Sequence, residues 1–150
     1  ANILIAYECK RQKNHKQIID FINYLESLDV EVHFSEWTVI ETLKVLKREY
    51  FYSNKTLEEI NFKYISKRKI GNIPLKLIGM DDRGTDFKSF FEFLKKNMLE
   101  IRETNVTDLI HCSIMSSNDI DIIISTDSDF QVLNDITWVD PKQIMSLQEK

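Results

Sequence analysis

Residues 120–130 read Ile-Asp-Ile-Ile-Ile-Ser-Thr-Asp-Ser-Asp-Phe, an apolar run that passes directly into alternating small polar and acidic residues. Ile120 to Ile124 is apolar and β-branched with acidic neighbours, which predicts a strand. The Ser125-Thr126-Asp127-Ser128-Asp129-Phe130 segment behind it is small, polar and turn-forming. In an open sheet with parallel strands, side chains just past the carboxyl end of a strand face a crevice in which ligands bind. Asp127 and Asp129 are therefore candidate functional groups. Taken alone the pair is a weak signal, because alternating Asp and Ser is also what a tight connection needs.

Working outward, Asp108 opens a helix carrying Leu109, Ile110, Ser113 and Ile114. Before it, Phe87, Phe90, Phe91, Leu94, Met98 and Ile101 form one apolar helical stripe that reads as core, with Thr85 or Asp86 as its cap. On the other side, Ile136 to Val139 is the expected last strand, closed by Asp140-Pro141 and followed by a polar tail expected to fray. In the first half, Asn2 to Tyr7 reads as a short buried strand, and Ile18, Phe21, Ile22, Leu25 and Leu28 recur at helical spacing. Val30, Val32 and Phe34 alternate as in a strand. A second helix runs through Val39, Leu43, Leu46 and Tyr50, and Thr38 with Glu41 has the form of a capping box that puts Glu41 in the first turn. Around Leu57, Ile60 and Tyr64 the helical pattern is weaker, then come a turn over Gly71 to Pro74 and an apolar Leu75, Leu77, Ile78. Strands alternating with helices predict an α/β fold of three layers, α/β/α, whose central sheet is mostly parallel.

The length of 150 residues and the 43% hydrophobic content fit one domain spanning 1–150, with no internal repeat. No apolar run reaches the length of a membrane span or signal segment, so the expected location is cytoplasmic and no membrane partner is expected. Cys9 and Cys112 lack any paired spacing, which predicts reduced thiols and neither a disulfide framework nor a zinc site. A net charge of −4 excludes general attraction to polyanions, so nucleic-acid contacts must come from local clusters. Lys10, Arg11, Lys13 and Lys16 form one such cluster. Lys44, Lys47, Arg48 and Lys67, Arg68, Lys69 form others, and each alone reads as solvated surface charge.

Asp127 and Asp129 follow a strand, Glu8 follows the expected first strand, and Glu41 and Asp108 each open a helix. Carboxylates converging at one sheet edge repel unless a cation holds them, and oxygen-only ligands favour Mg²⁺ or Mn²⁺. Such an ion could activate a water and offset charge on a scissile phosphate. Singly, each acid has a structural explanation: Glu41 a capping box, Asp108 a helix dipole, the Asp127 pair a turn. His111 lies inside an apolar helical pattern and receives no catalytic role.

The order and spacing of the set resembles the PIN-domain ribonucleases over nearly the whole chain. The segments that carry the resemblance are Asn2-Ile3-Leu4-Ile5-Ala6, Ser35 to Leu43 with Glu41, Asp108-Leu109-Ile110-His111-Cys112, and Ser125 to Phe130; Asp140-Pro141 is similar to the family's ending. The resemblance implies that Glu41, Asp108 and Asp127 ligate one or two divalent ions, with Asp129 as ligand or support. Ser125, in place of the family's Thr, would supply a hydroxyl nearby. It also implies hydrolysis of RNA phosphodiesters to a 5′-phosphate and a 3′-hydroxyl, and Lys10, Arg11, Lys13 and Lys16 would hold the substrate backbone. The departure is Ala6, which stands where the family has an Asp. Three accounts are open: an inactivating replacement, a naturally degenerate domain, or replacement by Glu8, which on an extended strand would face the same side.

Two functions follow from different classes. One is a metal-dependent endoribonuclease, by analogy a toxin restrained by an antitoxin and able to homodimerise, weakened or inactivated by Ala6. The other is a catalytically degenerate RNA-binding or protein-docking module. A phosphatase using the D-x-D pair is disfavoured, because too little chain follows Asp129.

Overall fold

In a computed structural model the chain is described at residues 1–79, 91–92, 95–96, 106–133 and 136–148. It forms two compact units, Ala1–Leu77 with Pro141–Lys150, and Ile78–Asp140.

The first unit opens with a helix, α1, over Asn2–Glu8, and not with the expected strand. A short apolar run carries no periodicity that separates a buried strand from a buried helical segment. Here the backbone satisfies itself locally: the Ile5 N–H donates to Ala1 O and the Cys9 N–H to Ile5 O, both at 2.9 Å. Leu4, Ile5, Ala6 and Cys9 are buried. The shared face expected for Ala6 and Glu8 is lost with the strand, since two residues along a helix are turned by roughly 200°.

Helix α2 (His15–Glu26) buries Ile18, Phe21, Ile22 and Leu25, the stripe the sequence predicts. Strand β1 covers Val32–Ser35, and α3 follows at once over Glu36–Arg48. Its cap is Ser35, whose hydroxyl accepts the Thr38 N–H at 3.3 Å. The helix thus starts earlier than a Thr38–Glu41 box requires, and Glu41 lies in its second turn. An isolated Ser one position before the first helical residue is a stronger cap than the box could be, because it is already extended.

Helix α4 (Asn54–Asn61), capped by Ser53, continues into a π-helical turn over Phe62–Ser66. Strands β2 (Lys69–Ile70) and β3 (Ile73–Ile78) pair antiparallel across a two-residue Gly71-Asn72 turn. Gly71 has φ +57, a left-handed backbone that favours glycine. The sheet order is β1-β3-β2. The C-terminal segment is not a frayed tail: Pro141–Gln148 forms a helix, here α6, packed on α2. Pro141 is buried at its first position, where a missing N–H costs nothing.

The second unit contains α5 (Val106–Ser117), β4 (Ile122–Ile124) and β5 (Thr137–Val139). Strands β4 and β5 pair in parallel, Ile122 to Thr137 through Ile124 to Val139. Helix α5 ends with Asp119 at φ +56, the Asp119 N–H donating to Ser116 O and the Ile120 N–H to Met115 O. This is a left-handed helix stop with Asp in the position glycine usually fills, and it delays the strand to Ile122. Residues 91–92 and 95–96 are helical, as expected, but Phe91 is 53% exposed and so is not the core residue its stripe implies. Phe87, Phe90, Leu94, Met98, Ile101 and the caps Thr85 and Asp86 lie outside the described residues.

Candidate metal centre

The second unit's core explains how its acids are placed. Leu109, Cys112, Phe130 and Leu133 form a buried cluster, with Ile123, Ile136 and Trp138 packed against it. These residues tie α5, both strands and the turn after β4 to one another. Burying such side chains contributes about 1.5–3 kcal/mol each, enough to hold the loop that carries the carboxylates.

That loop is also pinned by polar contacts. Ser125 is buried; its N–H donates to Val139 O at 3.1 Å, and its carbonyl accepts the Trp138 indole N–H at 2.8 Å. The Ser125 hydroxyl accepts the Asp127 N–H at 3.0 Å. Asp127 then caps a 3₁₀ turn over Ser128–Val132, its Oδ1 accepting the Asp129 N–H at 2.9 Å. One of about four lone-pair positions of a carboxylate is used in that cap. The turn reading and the ligand reading of Asp127 are therefore compatible.

Asp108 stands in the first turn of α5 and is only 7% exposed. It meets the loop: one ligand atom each from Asp108, Asp127 and Asp129 lie within 4.8 Å of one another. Asp108 also acts on its neighbour one helical turn on. Burial, and then the Asp108 charge, push the Cys112 thiol from its ordinary 9.0 up to about 12. Three carboxylates at this spacing, one of them buried, are an all-oxygen donor set of the kind that suits a hard divalent ion.

The other expected residues belong to the first unit. Glu41 is half-buried on α3, and Ala6 is fully buried in α1, where its carbonyl bonds the His15 Nδ1 at 2.7 Å. Glu8 is engaged structurally: Oε1 accepts the buried Tyr64 hydroxyl at 2.6 Å and is ion-paired to Lys63. Burial and the Glu8 charge raise the Tyr64 hydroxyl far above its ordinary value. Lys16 pairs with Asp20 at the surface, 3.5 Å away, while Lys10, Arg11 and Lys13 are exposed. The Ser125 hydroxyl was expected near the site and is found bracing Asp127. The contacts of Trp138 with Ser125 and of Lys63 and Tyr64 with Glu8 were not visible in the sequence, because no spacing signals contacts between residues so far apart.

An α/β chain with an acidic cluster at the end of a parallel strand has the features of a metal-dependent phosphoryl-transfer protein. The family comparison is specific: the model of the PIN domain matches residues 1–136, and the chain belongs to that family. Its fold class is accordingly α/β, the three-layer α/β/α arrangement of PIN domains, a fold generally associated with metal-dependent nucleases. Among curated proteins no match is found. No helix among the described residues is long and apolar enough to cross a membrane.

Proposed function

We propose that the chain is a divalent-metal-dependent endoribonuclease whose centre is built on Asp108, Asp127 and Asp129. The observation that carries this is the convergence of those three carboxylates within 4.8 Å in a chain of the PIN family. Asp108 and Asp127 would hold Mg²⁺ or Mn²⁺, with Asp129 completing the set and Glu41 assigned from the resemblance. When bound, the ion supplies Lewis acidity toward the phosphate and lowers the pKa of a water. The residues' own part is to bind and orient. The Ser125 hydroxyl fixes the Asp127 backbone, the Asp127 cap fixes Asp129, and burial of Asp108 keeps its carboxylate in a poorly solvated wall, where it attracts a cation more strongly than in water.

Hydrolysis of RNA to a 5′-phosphate and 3′-hydroxyl, a toxin role under an antitoxin, homodimerisation and action in the cytoplasm belong to this proposal. The test is cleavage of an end-labelled single-stranded RNA with Mn²⁺. The chain is expected to cleave, the Asp127→Asn variant to lose cleavage by at least about a hundredfold, as for removal of a charge-stabilising group. Equal rates in the two would remove Asp127 from the centre.

A second reading, a PIN domain that binds RNA or a protein without cutting, is favoured by Ala6. That position is occupied by a methyl group, fully buried in a helix, and offers no ligand. It predicts binding that is indifferent to chelator.

A further inference from the structure

In the first unit, an open cavity of about 680 Å³ lies between the segment after α1 and helix α4. Its wall includes Lys10, Arg11, Tyr50, Phe51, Tyr52 and Lys63. Phe51 is 84% exposed and holds φ +58, a backbone conformation that bulky L residues rarely adopt. An exposed ring in a disfavoured backbone persists only where its surroundings over-determine it. They do so here. The Tyr52 N–H donates to Leu46 O at 3.1 Å and its hydroxyl to Glu8 O at 3.0 Å, while Arg11 donates to Tyr50 O.

Arg11 lies over the rings of both flanking tyrosines, 5.0 Å from the Tyr50 centroid and 5.9 Å from that of Tyr52. Arg11 shares the cavity wall with Phe51, and it makes no ion pair with a carboxylate among the described residues. Lys10 is exposed and likewise makes no ion pair among them. Glu8 is ion-paired with Lys63 and hydrogen-bonded by Tyr64, so among the other charged residues of the wall Lys10 and Arg11 outnumber Glu59. The cavity is locally basic in a chain of net charge −4.

An open aromatic face in a wall that also carries cations is complementary to an unstacked base with its phosphate, and a duplex offers no such base. We infer that this cavity binds single-stranded nucleic acid, with Phe51 as the stacking platform and Lys10 and Arg11 on the phosphates. The inference rests on the reading of this chain as one that acts on nucleic acid, and it names how the substrate is held.

The experiment is fluorescence anisotropy of a short labelled single-stranded RNA with the full chain in EDTA, where the acidic cluster can hold no metal. Phe51→Ala is expected to weaken binding about tenfold, as for loss of one stacked base, and Phe51→Trp to retain it. Arg11→Gln is expected to weaken it and to lower the salt slope by about one. Phe51→Gly should weaken binding while raising the Tm by a few degrees, because glycine adopts positive φ freely; this separates the platform from the fold. Binding unchanged in both Phe51→Ala and Arg11→Gln, or equal binding of a duplex, would overturn the inference; a groove built for a protein partner would give that result. Loss of metal-dependent cleavage alone leaves these anisotropies unmoved, so failure of the nuclease reading is distinguishable.

Discussion

Glu8 ends the short apolar helix α1 in the first unit and Asp127 follows the apolar strand β4 in the second, yet their surroundings are opposite in sign. Around Glu8 the protein supplies a buried Tyr64 hydroxyl and the Lys63 ammonium, donors that answer the carboxylate's charge. Around Asp127 it supplies more carboxylate, with Asp108 and Asp129 within reach of one cation. The first arrangement is complete as it stands and stabilises the fold. The second brings like charges together, the arrangement expected of the proposed cation site.

The largest expected effect breaks the comparison at Ala6. Introducing Asp there puts a carboxylate into a fully buried helical position beside Leu4 and Ile5. Ala6→Asp should therefore lower stability by about 3 kcal/mol or more, measured by urea denaturation. An unaltered midpoint would mean that this position has access to a counter-charge, as Glu8 does.

Glu8→Gln is expected to cost less, about 1–3 kcal/mol, since Lys63 is about a third exposed and the pair is partly screened. Thermal unfolding checks it. Asp129→Asn sharpens the contrast, because its sign is reversed. In chelator it should raise stability by up to about 1 kcal/mol through relief of repulsion, and in excess Mn²⁺ it should remove the metal-induced gain. Destabilisation in chelator would place Asp129 among the structural acids.

A smaller effect concerns Cys112. Its thiol ionises near its ordinary 9.0 in the unfolded chain but keeps its proton to about 12 in the fold. The native state then binds more protons than the unfolded state between those values, so stability falls as pH rises through that window. Below about pH 8 the thiol contributes no pH dependence. A Cys112→Ala variant should show a flatter alkaline limb in denaturation from pH 8 to 11, and slow alkylation of Cys112 in the native protein should accompany it.

The legible parts of the fold were those with a period. Helix α2 could be read because a one-sided core imposes a 3.6-residue repeat, whereas β1 begins at Val32 and not at Val30, and β3 starts at Ile73, inside the turn expected over Gly71 to Pro74. Residues 2–8 could not be read, because Ile3-Leu4-Ile5-Ala6 is apolar on every side and α1 is too short to display a repeat. The polar tail concealed α6 for the opposite reason: Ile144 and Met145 are too few to make a visible stripe, and the helix depends on packing against α2. Within the acidic set, Asp108, Asp127 and Asp129 were read from their places at a helix start and past a strand end, as were Glu41 and Glu8, so position alone did not separate the three that converge. The contacts of Glu8 were not legible, since Lys63 and Tyr64 reach it across 55 and 56 residues.

Mn²⁺ binding followed by electron paramagnetic resonance decides whether Asp108, Asp127 and Asp129 form a cation site. The chain is expected to bind Mn²⁺, with affinity reduced at least about tenfold in both Asp108→Asn and Asp127→Asn and unchanged in Glu8→Gln, a difference of about 1.4 kcal/mol per tenfold. Equal affinity in all four proteins, or loss in Glu8→Gln alone, would contradict the account.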